Sequence, residues 1–259
     1  MSKIRQTFRK DRALFIPFFM AGHPTLDSTA QIILNFSQAG ADIIELGVPF
    51  SDPIADGPIN QQAAEVALKN GASLHWCLEQ VKKVRLQNCK TPIILFTYLN
   101  PIMAMGVDHF ATQAKEAGVD GVLIVDLPPE AGEDIYAILL DRGLEIILLI
   151  SPTSNLERLP LYKKLNPSFV YYISRLGVTG VQEKLSENLS HEIKKLKSHM
   201  GPIPVSVGFG IATLEQAQKV AEVADGVIVG SLLVNELNNA GVEAAKLLAE
   251  KLSNGIHTI

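Results

Sequence analysis

At 259 residues, with 47% hydrophobic and 19% charged residues, the chain is long and apolar enough for a large buried core, which excludes the disordered and fibrous classes. A net charge of −4 and a pI near 5.9 exclude general attraction to nucleic acid or to an anionic membrane, so any phosphate site must be local. Cys77 and Cys89, the only cysteines, form neither a CxxC pair nor a disulfide framework, which leads us to expect a reducing, cytoplasmic setting.

In chain order, Lys3, Arg5, Arg9, Lys10 and Arg12 precede an apolar run at 13–20 that imitates a signal peptide. Asp11 and Pro17 interrupt that pattern, and cleavage would remove the first predicted strand. No stretch reaches the ~20 apolar residues that span a bilayer. Residues 2–10 read as a short helix closing one end of the fold. Short β-branched runs then alternate with longer amphipathic segments. Strands are predicted at 15–20, 43–46, 93–98, 121–125, 146–150, 169–173, 204–207 and 226–229. Helices are predicted at 26–39, 59–70, 74–85, 107–117, 130–142, 156–165, 189–197, 214–223 and 242–252. The steps Ala39-Gly40, Ala117-Gly118 and Arg142-Gly143 place a glycine where a left-handed helix cap is needed.

Such alternation implies parallel strands with right-handed crossovers, and about eight units in ~250 residues is the size of a closed barrel. The expected fold is α/β: a single (β/α)8 TIM barrel domain over 1–259, with extra helices. An open doubly wound sheet is the alternative, weakened because no GxGxxG follows the first strand. Two connections are long, those after strands two and six, and both lie at the strand C-termini where barrel sites are built. The second of them, 174–185, shows little periodicity before Leu189.

The chemistry concentrates between Ile43 and Pro58. Glu45 is the one carboxylate in an apolar strand, and burying it needs a partner, neutralisation or a function. The loop after it holds Asp52 and Asp56 between Gly47, Pro49, Pro53, Gly57 and Pro58, which stiffen the backbone. Taken singly, Glu45 could be a strand-end acid facing solvent, and the aspartates could be turn formers. Together they suggest proton transfer. After strands seven and eight come Gly208-Phe209-Gly210 and Gly230-Ser231, the latter before a short apolar helical turn, with exposed amides suited to a phosphate, although each glycine could be a turn residue. Gly177, Thr179 and Gly180 offer a third wall and a flap.

Other chemistries lack their residues. No lysine ends a predicted strand, so a Schiff-base aldolase is disfavoured. The six histidines lack metal-ligand spacing, and Ser151, Ser174, Ser206 and Ser231 lack a histidine partner. Acid–base chemistry on a phosphorylated substrate remains.

The string from Glu45 to Pro58 resembles the signature of the tryptophan synthase alpha subunit family. Phe15-Ile16-Pro17-Phe18, Ala21-Gly22, Tyr98-Leu99-Asn100-Pro101, Asp126-Leu127-Pro128, Ser174–Gly180, Gly208-Phe209-Gly210 and Gly230-Ser231 extend the likeness over nearly the whole chain. The resemblance implies cleavage of indole-3-glycerol phosphate to indole and glyceraldehyde 3-phosphate, with no cofactor and no metal on this subunit. It also implies an alpha2beta2 heterotetramer with a beta subunit that carries pyridoxal phosphate, and no nucleic-acid or membrane partner. It places the catalytic acid–base on Glu45 and the indole N–H acceptor on Asp56. Substrate-binding positions carried over from it are Phe18, Tyr171, Thr179, Gly180, Phe209, Gly210, Gly230 and Ser231. Tyr171 is preferred to Tyr172, since strand neighbours face opposite sides. Phe18, Phe96, Leu123 and Ile150 are candidate indole walls or plain barrel core. Asp52, Asn100, Pro101 and the run 102–105 are expected near the subunit contact, while His23 and Leu176 are the least typical residues. Two rivals stand beside this reading: another phosphate-binding barrel enzyme, and an alpha-like subunit that only activates its partner.

Overall fold

A computed structural model describes residues 2–8, 11–173, 182–208 and 210–259. Eight strands, β1 (Leu14–Met20), β2 (Ile44–Gly47), β3 (Ile93–Thr97), β4 (Gly121–Ile124), β5 (Glu145–Ile150), β6 (Phe169–Ile173), β7 (Val205–Gly208) and β8 (Gly226–Val229), follow one another around a closed barrel. All neighbours pair in parallel, and β8 returns to β1 through Leu14 opposite Gly226 and Pro17 opposite Val229. The strands read as continuous apolar runs because both faces are covered, one by the barrel interior and the other by helices. All seven residues of β1 are buried.

The helices are α1 (Lys3–Thr7) at one end of the barrel and, around it, α2 (Ser28–Gln38), α3 (Pro58–Lys69), α4 (Leu74–Leu86), α5 (Leu99–Met105), α6 (Val107–Ala117), α7 (Pro129–Asp141), α8 (Leu159–Leu165), α9 (Gln182–Met200), α10 (Leu214–Ala221), α11 (Ser231–Asn239) and α12 (Gly241–His257). Gly40, Gly118 and Gly143 follow their helices at φ of 92°, 90° and 77°, the left-handed conformation expected at those steps. Three helices differ from the sequence expectation. α5 occupies a stretch expected only as a contact surface. α11 is a full nine residues where a helical turn was expected. α9 begins at Gln182, inside the segment read as aperiodic, because Gln, Glu and Lys there favour helix without supplying an apolar stripe.

One end of the barrel is plugged by α1. Ser2 caps the helix by accepting from the Arg5 amide, and Ile4 is fully buried. The Ile4 amide donates to Glu145 Oε1 at 3.0 Å, and the hydroxyls of Ser2 and Ser168 donate to the other oxygen of that carboxylate. Gly121 leaves the room that Ile4 takes, since a Cβ there would lie 2.7 Å from its side chain. The opposite end, at the strand C-termini, holds the cavity.

Candidate active site

Register brings the first pieces together. Phe18 on β1 lies opposite Glu45 on β2, which lies opposite Ile94 on β3. Paired residues in parallel strands point to the same side, so Glu45 and Phe18 both face the barrel interior. Above them opens a cavity of about 390 Å³ whose wall includes Phe18, Glu45, Phe96, Tyr171, Gly210 and Ser231. Phe18 and Phe96 meet edge to face at 5.2 Å between centroids. The Phe18 ring takes its place because Gly47 and Gly230 lack side chains: a Cβ at those positions would lie 2.8 Å and 3.1 Å from it.

Glu45 is 1% exposed, and neither carboxyl oxygen has a hydrogen-bond partner. Burial, helped by the negative charge of Asp56, pushes its pKa up to about 8. Asp56 comes from the loop after β2, and Tyr98 fixes that loop. The Tyr98 hydroxyl donates to Asp56 Oδ2 at 2.8 Å and accepts from the Ala55 amide at 3.1 Å, while its ring lies 5.0 Å from that of Phe50. Gln61 Nε2 donates to the Asp56 carbonyl at 2.9 Å and to that of Pro53 at 3.3 Å. Asp56 Oδ1 is buried without a partner. Burial raises the Asp56 pKa as well, against the opposing effects of Tyr98 and of Asn60 beside it.

Tyr171 is buried, and burial, then Glu45 and Asp56, hold its hydroxyl well above the ordinary range, so it stays protonated. A Cβ at Gly208 would sit 2.5 Å from that hydroxyl, which only glycine permits. Tyr172 faces outward and donates to Glu192 on α9 at 2.7 Å. The same cavity is lined by Gly210, at φ +75°, Ile211, Gly230 and Ser231. Gly230 stands at the N-cap of α11 with no side-chain cap, and Gly230 and Ser231 line the cavity, so the first amides of that helix begin beside it without a side-chain acceptor from the cap.

A family model described as tryptophan synthase alpha chain matches residues 4–257. The chain belongs to that family. It is 47% identical over 249 residues to the tryptophan synthase alpha chain of Neisseria meningitidis, covering 95% of both chains. It is 45% identical over 249 residues to that of Burkholderia pseudomallei, covering 95% of this chain and 92% of the relative. Among solved structures, the alpha subunit from Legionella pneumophila superposes with a TM-score of 0.93 at 36% identity, with full coverage of both chains. A tryptophan synthase from M. tuberculosis in an aminoacrylate-bound form gives 0.88 at 31% identity, covering 99% of this chain and 100% of the other.

Of the residues this alpha-chain family suggested, Glu45, Phe18, Tyr171, Gly210, Gly230 and Ser231 line one cavity, with Asp56 beside it. Thr179, Gly180 and Phe209 lie outside the described residues, as do Gly177 and Leu176. Phe96 is a wall, whereas Leu123 and Ile150 are buried but do not line the cavity, so they are barrel core. Ile102 is fully buried and leaves the expected contact surface to Met103 and Ala104, because a helix turns only part of a run outward. His23 is buried, and burial lowers its pKa. Sequence reasoning did not assign Tyr98, Asn60, Ile211 or Ile228 to the site. Tyr98 stood in a quoted motif, but no local signal tied it to Asp56.

Proposed function

We propose that this chain cleaves indole-3-glycerol phosphate to indole and glyceraldehyde 3-phosphate, the carbon–carbon lyase reaction of its family, with Glu45 and Asp56 as the working carboxylates. The observation that carries the assignment of roles is Glu45 itself: a buried carboxyl with both oxygens unpartnered, facing a cavity, with a pKa of about 8. A group so placed is protonated at neutral pH and close enough to its pKa to give and take a proton. It protonates indole C3, and positive charge develops on the ring nitrogen. Asp56 accepts the ring N–H through its free oxygen and stabilises that charge. Glu45, now ionised, removes the proton of the hydroxyl on the adjacent glycerol carbon. The carbon–carbon bond then breaks, its electrons returning to the ring as the hydroxyl carbon becomes the aldehyde. Tyr171 bounds the pocket at Glu45, and the amides after Gly210 and Gly230 hold the phosphate. Phe18 and Phe96, in contact with each other, offer the ring one apolar wall.

The whole chain works as one barrel domain in this reading, without a cofactor of its own. It assembles with a beta subunit, which carries pyridoxal phosphate, into an alpha2beta2 heterotetramer. Ile54, 83% exposed, and Met103, 54% exposed, give the catalytic face apolar surface for that contact. No described helix is long and apolar enough to cross a membrane, and we place the protein in the cytoplasm.

The test is glyceraldehyde 3-phosphate release by wild type, Glu45→Gln and Asp56→Asn, each with and without a beta subunit. Cleavage by wild type, accelerated by the partner, with both variants reduced by about 10²–10⁴, supports the roles. A wild type that is silent in both settings yet raises the partner's own activity would make the chain an activating subunit.

A further inference from the structure

Two buried carboxyls meet at this cavity. Glu45 is 1% exposed and Asp56 is 8% exposed, and the charge on Asp56 disfavours a charge on Glu45. Among the described residues that line the cavity there is no lysine, arginine or histidine to offset a second negative charge. The other titratable groups that act on the pair are Tyr98, at the end of β3, and Tyr171 on β6, and burial keeps both hydroxyls protonated. Asp126, beyond β4, adds a further negative charge near Tyr98. Two carboxyls in such surroundings share one proton at neutral pH.

The two differ in what they are bonded to. Neither Glu45 oxygen has a hydrogen-bond partner, whereas Asp56 Oδ2 accepts from the Tyr98 hydroxyl at 2.8 Å. The direction of that donation is fixed. The Ala55 amide donates to the same hydroxyl oxygen at 3.1 Å, which occupies a lone pair and leaves the O–H for Asp56. Tyr98 is 2% exposed, its ring lies 5.0 Å from that of Phe50, and the next amide, that of Leu99, donates to Asp126 Oδ1 at 2.7 Å. Held at both ends, the phenol stays aimed at the carboxylate. The Asn60 side chain acts on Asp56 in the same direction. A donor to a carboxylate favours its charged form.

We propose that Tyr98 is a positioning residue that assigns the single proton of this pair to Glu45, by holding Asp56 in its charged form with Oδ1 left free for the substrate. The inference rests on the function proposed above and deepens it. The lyase reaction needs one acid and one anion, and the difference between them comes from a hydroxyl that does not itself line the cavity. Without that hydroxyl the proton is divided between the two carboxyls. In the fraction that carries it on Asp56, the site has neither an acid at Glu45 nor a charged acceptor for the ring N–H.

The test has two readouts. The first is the pH profile of kcat/KM for indole-3-glycerol phosphate in wild type and Tyr98→Phe. The acid limb of the variant is expected to move up by about 1–2 pH units, the worth of a hydrogen bond to a charged group, while the alkaline limb does not fall. A loss by the same factor at every pH would mean that Tyr98 only shapes the loop, and would overturn the proposal. The second readout needs no turnover: the infrared C=O stretch of a protonated carboxyl, without substrate at neutral pH, in protein labelled with carbon-13 in glutamate or in aspartate. Wild type is expected to show a band that shifts with the glutamate label and vanishes in Glu45→Gln, and Tyr98→Phe to move part of it to the aspartate label. A wild-type band that follows aspartate would overturn the proposal even where cleavage is seen. If Tyr98→Phe does not fold, 3-fluorotyrosine at position 98, a stronger donor of almost the same size, replaces it and the acid limb should move down; an unmoved limb would overturn the role of Tyr98. A wild type with the glutamate band and no cleavage would overturn the proposed function and leave the proton assignment standing.

Discussion

Glu45 shows how one residue couples stability to chemistry. Its folded pKa, about 8, lies above the 4.5 of an exposed glutamate, so between those values the folded chain binds more protons than the unfolded one. Its contribution to stability is complete below pH 4.5 and is lost as pH rises through 8. Glu45→Gln removes that loss, since the amide never ionises. Chemical denaturation is expected to find the variant more stable than wild type by about 1–3 kcal/mol at pH 9, with no gain at pH 4. Equal stability of the two proteins at pH 9 would mean that Glu45 ionises at an ordinary pKa and starts the reaction as a base. The same reasoning has kcat falling as pH rises through about 8. Glu45 and Asp56 were legible in the sequence because a lone acid in an apolar run, and acids among prolines and glycines, stand out locally. Tyr98 and Asn60 were not. Tyr98 reaches Asp56 across 42 residues, and Asn60 bears on Asp56 only once the loop and α3 bring the two side chains together.

At the scale of elements, the barrel separates a working end from a sealed end. Alternating apolar runs made the strands legible, because a parallel strand covered on both faces has to be apolar throughout. The beginnings of helices were harder. α9 starts in residues with helical propensity but no apolar stripe, and α5 holds Asn100-Pro101 in its first turn, a position that suits proline but gives no periodic apolar signal. The sealed end was legible as a short helix closing the barrel, but not the contacts that hold it there. What makes α1 a plug is the fully buried Ile4 and the three donors that Ser2, Ile4 and Ser168 send to Glu145. Ile4→Ala empties that position against Gly121 and Ile147, and the expected cost is about 2–4 kcal/mol of unfolding free energy. Because the plug lies at the end away from Glu45, kcat/KM for indole-3-glycerol phosphate should stay within about twofold at a temperature where the variant is folded. A loss of activity matching the loss of stability would show that the two ends are not independent.

For the whole molecule, closure of the barrel requires β8 to find β1, which joins the last part of the chain to the first. Asp42 reinforces this seam. Its Oδ1 accepts from Arg12 Nη2 at 2.9 Å, and its Oδ2 accepts from Arg12 Nη1 at 3.0 Å and from the Phe15 amide at 2.9 Å. His257 Nε2, on the last turn of α12, lies 2.7 Å from the same Oδ2. The carboxylate is 2% exposed, so its partners cannot be replaced by water without opening the seam. Asp42→Ala leaves the buried Phe15 amide without its side-chain acceptor and the Arg12 guanidinium without its counter-charge. The expected loss is about 3–5 kcal/mol, read as a lower denaturant midpoint with an unchanged slope. Arg12→Ala alone should cost less, because that side chain is 25% exposed and its loss leaves Asp42 its contacts with the Phe15 amide and His257. If Asp42 acts as the hub of one network, the double variant will be no less stable than Asp42→Ala to within about 0.5 kcal/mol, since the contact that Arg12 makes with Asp42 is already gone and the Ala13 carbonyl, 3.1 Å from its Nη1, is all it keeps among the described residues. Strictly additive losses would show that Arg12 stabilises the fold by other contacts and that the termini are joined by packing of α12 on β1 and α2 alone.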